Sequence, residues 1–426
     1  MKKLLLTLCV AVAAGTASAQ RWMRVWQAGE STRYALTEAP TMDYATAGST
    51  ITIGSTQYAT AEIDSITIVN PVTITWDGAS ATVDIPANVE GVTCSVNGGH
   101  VVIDNANIAT EQEFILTGSS SNGSLTYNGS YKCKFHLNGV NLTSTKSAAL
   151  DIQCGKRIDL DIMDGTTNSL TDCSGGTQKA ALNCQGHLEV AGSGSLTVAG
   201  NTAHGIRSKE YLVLKKSTGT ITVTKAVNDA IHCGEYFTMN GGSMVLSGYG
   251  ADGLQMETAA TSDEADNGTF TMNGGSISIT HDAAGSKAIR ADSTVAVMNI
   301  NGGTIDITLS SSASDAKGLV CDGSINIGET AATTAITIDV NGNGYKDAND
   351  EKIRTTGMKA EDTITMNAGT VTIGANGKYA RGMRAATLVM NGGTLTVTNT
   401  GSSSQGIKLD NAVQNNGGTV NASFKY

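Results

Sequence analysis

One four-residue phrase recurs nine times between residues 181 and 409, and this repeat constrains the fold more than any other feature of the sequence. Each copy is a small residue, an aliphatic anchor, a variable residue and a second, usually small residue, as in Gly205-Ile206-Arg207-Ser208. Most successive anchors are 23 to 25 residues apart, and gaps of 30, 35 and 39 residues indicate insertions. A fixed period of this length is typical of stacked structural repeats. The anchors are Leu182, Ile206, Ile231, Leu254, Ile289, Leu319, Met358, Met383 and Ile407.

A second phrase, typically Met-Asn-Gly-Gly, follows many of the anchors and leads into alternating strands such as Ser276-Ile277-Ser278-Ile279. At about 3.3 Å per residue, two dozen residues can form three short strands and three bends. Asn-Gly and Gly-Gly supply the positive φ angles that such bends need. Stacked turns then bury one continuous core. We therefore predict an all-β right-handed parallel β-helix, a solenoid of about 24 residues per turn.

The composition disfavours the other repeat folds. With 50 glycines in 426 residues, no 3.6-residue apolar period survives, which excludes an α-solenoid. A propeller needs about 40 residues per blade, which the regular spacing does not support. Aromatic residues make up 4% of the chain, fewer than the core of a sandwich or barrel usually contains.

The first 19 residues have the features of a cleaved export signal. Lys2 and Lys3 precede a short apolar run, and Ala17-Ser18-Ala19 is a small-x-small cleavage site. Cys9 lies inside the apolar run rather than after a lipobox, and the run is too short to span a bilayer. We expect a secreted, periplasmic or cell-surface protein without a membrane span.

Two further parts follow the signal. Residues 20–70 are predicted to form a small N-terminal β module or cap, with antiparallel strands at 23–27, 50–53 and 65–69. Residues 71–426 are predicted to form the β-helix, with a calcium-loop insertion at 339–350. The sequence does not indicate the oligomeric state.

The net charge of −10 becomes −12 when Lys2 and Lys3 are removed with the signal. A chain this acidic is a poor general ligand for nucleic acid or an anionic membrane. Its negative charge favours the binding of divalent cations instead.

The repeat also sorts the cysteines. Seven of the eight remain after cleavage, and an odd number argues against a complete disulfide framework. Cys184, Cys233 and Cys321 share the position two residues after the anchor, which lies on the same face of a strand as the anchor. We interpret them as buried, stacked thiols, with disulfide formation or metal binding as alternatives.

Several phrases occur in a fixed order between about residue 110 and the C-terminus: Phe114-Ile-Leu-Thr-Gly118, Leu137-Asn-Gly-Val-Asn-Leu142, Gly165-Thr-Thr-Asn-Ser-Leu-Thr-Asp172, His204-Gly-Ile-Arg-Ser-Lys-Glu210 and Ala251-Asp-Gly-Leu254. In this order they resemble secreted bacterial carbohydrate-binding-domain proteins, whose parallel β-helix is like that of pectate and other polysaccharide lyases. The resemblance implies binding of plant-type or acidic polysaccharide, with calcium and without a need for catalysis. The chain departs from the family at Asp229-Ala230-Ile231, where Asp-Gly-Ile is common, and at His204, where an acidic or amide residue is usual.

The run from residue 339 to 350, DVNGNGYKDAND, matches the calcium-loop pattern D-x-[DN]-x-[DN]-G. Calcium takes six to eight oxygen ligands, and this run can supply most of them. The predicted ligands for Ca²⁺ are Asp339, Asn341, Asn343, Tyr345 through its carbonyl, Asp347 and Asp350. An Asn-Gly-rich turn without an ion is the alternative. Because the run lies in the longest insertion, we expect a structural role.

A weaker second calcium site is predicted at Asp229, Asp252 and Glu257. Asp229 and Asp252 occupy the same repeat position, so stacking would place them about 4.8 Å apart. Two bare carboxylates at that distance repel each other, which a cation would relieve. A solvated acidic face, or aspartates serving in turns, is the alternative.

The residue after each anchor should point outward and form a row of mostly basic side chains. Arg207, His232 and Arg290 in this row are candidates for binding uronate carboxylates. Tyr211 and Tyr236 should also stack, and could form a platform for a sugar ring or a packing ladder. An ordinary solvated surface is the alternative for the row.

The sequence offers one candidate catalytic residue. Lys209 is the single candidate base with acidic neighbours on adjacent turns, and a lysine base would need a depressed pKa. We favour a calcium-containing protein that binds polysaccharide without cleaving it. The alternatives are a calcium-dependent polysaccharide lyase and a structural or adhesive surface protein.

Overall fold

The computed structural model describes residues 21–425 except 29, 37–41, 45–47, 294 and 330–332. The predicted export signal therefore lies outside the described residues. The chain divides into two compact units, Met1–Thr73 with Asp84–Val89, and Ile74–Val83 with Glu90–Tyr426.

The first unit contains two small antiparallel sheets. One sheet orders its strands Glu30–Ala35, Trp22–Gln27 and Ser65–Val69, and the other Met42–Tyr44, Thr50–Ile53 and Thr56–Ala59. A short 3-10 helix covers Thr60–Glu62. Among the described residues, no helix has the length and apolar character needed to cross a membrane. The unit's core is formed by Met23, Val25, Ile51, Ile53 and Tyr58.

The second unit is a parallel β-helix in which a regular turn contains three strands. One such turn consists of Ala180–Cys184, Leu188–Ala191 and Ser195–Gly200. The first strand of each turn belongs to one sheet of 14 strands, which we call the anchor sheet. Its strands are parallel except for the first pair. They are Val92–Asn97, Gly99–Asn105, Gly123–Gly129, Leu150–Gln153, Ala180–Cys184, His204–Ser208, Ile231–Cys233, Leu254–Met256, Lys287–Ala291, Lys317–Cys321, Thr356–Ala360, Arg381–Ala385, Gln405–Leu409 and Phe424–Lys425.

The second and third strands of each turn belong to a sheet of 24 strands. Val72–Asp77 and Ser80–Asp84 also belong to this sheet. The others are Gln112–Ser120, Cys133–Thr143, Ile158–Ile162, Thr167–Thr171, Leu188–Ala191, Ser195–Gly200, Leu212–Leu214, Thr220–Ala226, Phe237–Met239, Ser243–Leu246, Thr269–Met272, Ser276–His281, Val297–Ile300, Gly303–Leu309, Ser324–Ile327, Thr334–Val340, Thr363–Met366, Thr370–Ala375, Thr387–Met390, Thr394–Asn399, Gln414–Asn415 and Thr419–Asn421.

The anchors stack as the repeat predicts. Ile206 pairs with Ile231, which pairs with Leu254, and all three are almost fully buried. The same register continues through the insertions to Ile407. The insertions therefore extend the bends without displacing the strands, and the predicted all-β parallel β-helix is confirmed.

The Asn-Gly-Gly phrases form the bends. Gly275 has a φ of 91°, and a Cβ at this position would lie 2.6 Å from the carbonyl oxygen of Gly242 in the preceding turn. Asn273 donates a hydrogen bond to Asn240 and accepts one from Asn301, both at 2.8 Å. Glycine lets the turns approach, while the asparagines form a ladder of amide hydrogen bonds along the outside.

The cysteine position behaves as predicted. Cys184, Cys233 and Cys321 are fully buried in the small-residue column, and Ser208 separates the first two. Every described cysteine is a free thiol. Packing, rather than cross-linking, therefore explains why these cysteines recur.

Candidate functional site

The row of residues that follow the anchors lies on the outer face of the anchor sheet. Register places His232 between Arg207 and Gln255, and Arg290 directly beyond Gln255. Val320 is an exception to the predicted outward row, because it is only 4% exposed. The row comprises Arg207, His232, Gln255, Arg290, Val320, Lys359, Arg384 and Lys408.

Most of the cations in this row are neutralised within the chain. Arg290 lies 2.9 Å from Asp292, and Arg384 lies 2.6 Å from Asp410 in the next turn. Lys359 pairs with Glu361, and Lys408 lies 3.7 Å from Asp410. In three of the four pairs the acidic residue follows the basic one by two positions, which puts both on the same face of an extended chain, whereas Arg384 meets Asp410 through the stacking of turns.

Arg207 differs from the other cations of the row. Its Nη1 donates a 3.3 Å hydrogen bond to Oδ1 of Asn183, and no carboxylate of the described residues lies within ion-pair distance. Asn183 in turn donates a 2.8 Å hydrogen bond to Asp151. Burial lowers the pKa of the half-buried Arg207 guanidinium, which nevertheless stays charged at neutral pH.

Asp151 and Asn183 were not among the predicted site residues. They precede Arg207 in the same row, since Asp151 pairs with Asn183 and Asn183 pairs with Arg207. The sequence could have predicted Asn183 as a member of this row, because Asn183 follows the anchor Leu182. We call Asp151, Asn183, Arg207 and Gln255 the polar strip.

The predicted tyrosines do stack, but their geometry is that of a packing ladder. The rings of Tyr211 and Tyr236 lie 4.6 Å apart at 21°, and His187 stacks on Tyr211 at 4.2 Å. The two tyrosines are only 8% and 9% exposed. Tyr211 is covered on both faces, so it offers no free face to a sugar ring.

Asp229 and Asp252 share a repeat position as predicted, yet they are not a bare pair. Oδ1 of Asp229 accepts the backbone N–H of Asp252 at 2.9 Å, and Oδ1 of Asp252 accepts that of Lys287 at 2.8 Å. Each carboxylate thus caps the next turn. Arg290 lies 3.6 Å from Asp252, whose pKa is raised by burial. Glu257 is half-exposed and does not join the two aspartates. The three carboxylates therefore do not come together in this geometry, and a second calcium site at these residues stays a prediction.

Asp229 instead lies between two histidines. Its Oδ2 is 3.1 Å from Nδ1 of His204 and 3.1 Å from Nδ1 of His232. The two imidazole rings are 4.6 Å apart. Burial opposes the charge on Asp229, but the two histidines and the N–H of Asp252 outweigh it, so the pKa of Asp229 lies below its usual range. His204 was predicted only as a departure from the family pattern.

The predicted calcium loop forms the end of a strand followed by a hairpin. Asp339 belongs to the strand Thr334–Val340, whereas Tyr345 pairs with Ile353 in the hairpin Tyr345–Lys346 and Lys352–Ile353. Asp350 lies 2.6 Å from the ammonium group of Lys346.

The remaining candidate ligands of this loop also have partners. Asn341 accepts a hydrogen bond from Asn376, and Asn343 accepts one from the backbone of Lys378. Asp347 accepts the N–H groups of Asn349 and Glu351. The described side chains therefore do not form a calcium shell in this geometry, and calcium binding here stays a prediction.

Lys209 is exposed in the bend after His204–Ser208. No carboxylate of the described residues forms an ion pair with it. The burial that would make a lysine a base at neutral pH is missing at this position.

A family model described as "Carbohydrate-binding domain-containing protein" matches residues 97–424. A protein of the same description from Acetivibrio thermocellus is 33% identical over 95 residues, which is 20% of this chain and 32% of that protein. The match thus spans about a third of the relative's length.

A solved structure, titled as the gadolinium derivative of the polysaccharide lyase-like protein from C. thermocellum, is 26% identical with a TM-score of 0.47. The likeness covers 62% of this chain and 98% of that one. The resemblance seen in the sequence motifs is confirmed by the family model, which covers more than half of the chain. This chain belongs to the family of carbohydrate-binding domain-containing proteins.

Proposed function

We propose that this chain is a secreted protein that binds an acidic polysaccharide along the polar strip and does not cleave it. Family membership supports a polysaccharide as the ligand. The features of an export signal at residues 1–19 support secretion. The observation that carries the choice of an acidic glycan is the Arg207 guanidinium, which has no carboxylate partner among the described residues.

The polar strip suits an extended ligand. Asp151, Asn183 and Arg207 belong to three successive turns spaced by about 4.8 Å, and Gln255 lies two turns beyond Arg207, with His232 between them. A guanidinium can bind a uronate carboxylate through two parallel hydrogen bonds, while Gln255 can bind sugar hydroxyls. Asn183 is fully buried and positions Arg207 instead. Arg290, which lies further along the row, is already paired with Asp292 and contributes less.

Binding of polygalacturonate by the purified mature chain, measured by isothermal titration calorimetry, tests the proposal. We expect Arg207→Gln to weaken binding by about 10- to 100-fold, which corresponds to the loss of hydrogen bonds to a charged group. Arg384→Gln is the matched control, because Arg384 occupies the same row but is paired with Asp410. Equal affinities for the two variants, or equal binding of a neutral glucan, would contradict the proposal.

The absence of cleavage is tested in the same samples. A lyase would release unsaturated uronates, which absorb ultraviolet light, whereas a binding protein releases none. Appearance of that absorbance, and its loss in Lys209→Ala, would favour the lyase. The exposure of Lys209 leads us to expect no such signal.

A further inference from the structure

Three potential metal ligands, His204, Asp229 and His232, converge on two neighbouring turns of the β-helix. The carboxylate oxygen Oδ2 of Asp229 lies 3.1 Å from Nδ1 of each histidine. The three ligand atoms lie within 4.8 Å of one another, and no other trio of His, Cys, Asp or Glu in the described part of the chain does so. Two of the ligands come from one short segment, because Asp229 precedes His232 by three residues.

The burial of His204 leaves its Nδ1 beside one polar neighbour, Oδ2 of Asp229, without hydrogen-bond geometry. His204 is 8% exposed, and its Nδ1 is shielded from solvent yet makes no hydrogen bond, although Asp229 is close. Buried polar atoms almost always have a partner, and an ion is one explanation when none is present. The oxygen atom that lies 3.1 Å from this nitrogen, Oδ2 of Asp229, also accepts a hydrogen bond from His232.

Two of the three ligand spacings match those of a metal shell. Zinc binds imidazole nitrogen and carboxylate oxygen at about 2.0–2.2 Å, so neighbouring ligand atoms of a tetrahedral site lie about 3.3 Å apart. The two observed N···O distances of 3.1 Å are close to that value. They are longer than the roughly 2.7–2.9 Å of a charge-assisted hydrogen bond between imidazolium and carboxylate.

The second nitrogen of His232 has a carboxylate as its neighbour, close to hydrogen-bond distance. Its Nε2 faces the carboxylate of Glu257 at 3.8 Å, on the side away from Asp229. Histidines that bind metals commonly donate their other N–H to a carboxylate, which orients the ring. Glu257 is therefore assigned to orienting His232 rather than to binding the ion.

We propose that His204, Asp229 and His232 bind one divalent transition-metal ion such as Zn²⁺. Two imidazole ligands favour zinc, cobalt or nickel, whereas calcium takes six to eight oxygen ligands. Three protein ligands leave at least one coordination position for a further ligand. Register places His232 directly beside Arg207, so that position lies near the polar strip. The metal site rests on its own geometry and does not depend on polysaccharide binding.

Titration of the mature chain with metal tests the proposal. The protein is prepared without a histidine tag, treated with chelator and dialysed, and then titrated with Zn²⁺ and with Ca²⁺ by calorimetry. Co²⁺ is used in parallel, because its visible absorption reports imidazole coordination directly. We expect one equivalent of Zn²⁺ to bind, with at least tenfold weaker binding of Ca²⁺ at the same site.

Variants assign the site. His232→Ala removes the more accessible ligand and should weaken Zn²⁺ binding at least tenfold and abolish the Co²⁺ spectrum, and Asp229→Asn should do the same. His187→Gln is the matched control, because His187 also lies beside a carboxylate, Glu210, but outside the trio. If Asp229→Asn does not fold, the His232→Ala result decides. No Zn²⁺ binding by the wild type, or undiminished binding by His232→Ala, would overturn the proposal.

Discussion

The imidazole of His136 lies against the carboxylate of Glu113, with 2.7 Å between Nε2 and Oε2. Its Nδ1 lies 2.7 Å from Oδ2 of Asp161, and the three residues pair in register on consecutive turns. His136 is fully buried. The imidazole thus bridges Glu113 and Asp161, which lie two turns apart, and stabilises the first turns of the 24-stranded sheet.

We expect His136→Gln to lower the free energy of unfolding by about 3–5 kcal/mol, because a glutamine amide cannot reproduce both contacts that the imidazole makes with Glu113 and Asp161. Chemical denaturation measures this loss. His100→Gln serves as the control, since His100 contacts only Ser124 and Asn122 near the surface and should change stability by about 1 kcal/mol or less. Similar losses in the two variants would show that the carboxylate bridge contributes little.

His281 should make stability depend on pH. Burial lowers the pKa of His281 to about 4 from 6.5. The unfolded chain takes up a proton at this residue below pH 6.5, whereas the folded chain does so only near pH 4. Stability is therefore lost as the pH falls through this window, by up to about 3 kcal/mol.

The variant His281→Phe tests this linkage. Phenylalanine can keep the stack on Tyr249, whose ring lies 4.6 Å from that of His281, but it cannot bind the proton. We expect the wild type to lose about 3 kcal/mol relative to the variant between pH 6.5 and 4, as measured by denaturation at each pH. Parallel stability curves would contradict the assignment.

The rate at which each cysteine reacts with a thiol reagent should follow its solvent exposure. Cys94 is exposed, whereas burial raises the pKa of Cys184 to about 12 and that of Cys321 to about 11. Only thiolates react, so we expect the exposed Cys94 to react fastest with a thiol reagent, the partly exposed Cys173 more slowly, and the buried cysteines on unfolding. Cys94→Ser should remove the fast phase. A fast phase that persists in this variant would show that a second cysteine is accessible.

Calcium binding at residues 339–350 stays a prediction, and the Lys346–Asp350 ion pair offers a sharp test. If calcium recruits Asp350, it must displace the ammonium group of Lys346. We expect added calcium to raise the melting temperature, and Lys346→Gln to increase calcium affinity severalfold by removing this competitor. Asp347→Asn should abolish the shift. A melting temperature insensitive to calcium and chelator would reject the site.

Part of the site could be predicted from the repeat because like positions form columns. The stacking of Arg207 on His232, of Tyr211 on Tyr236, and of Asp229 near Asp252 all followed from spacing. The partners of these side chains did not follow. Asp252 presents its backbone N–H to Asp229, and this depends on how the chain enters the bend rather than on residue type.

The sequence by itself determined the period, the inward and outward faces of the strands, and the small size of the cysteine position, because each of these depends on alternation and spacing along the chain. Only the tertiary structure decided which polar groups are free. Asp410 neutralises Arg384 across a turn, and His204 meets His232 across a bend. Contacts of this kind depend on the path of the bends, where spacing carries no information about direction.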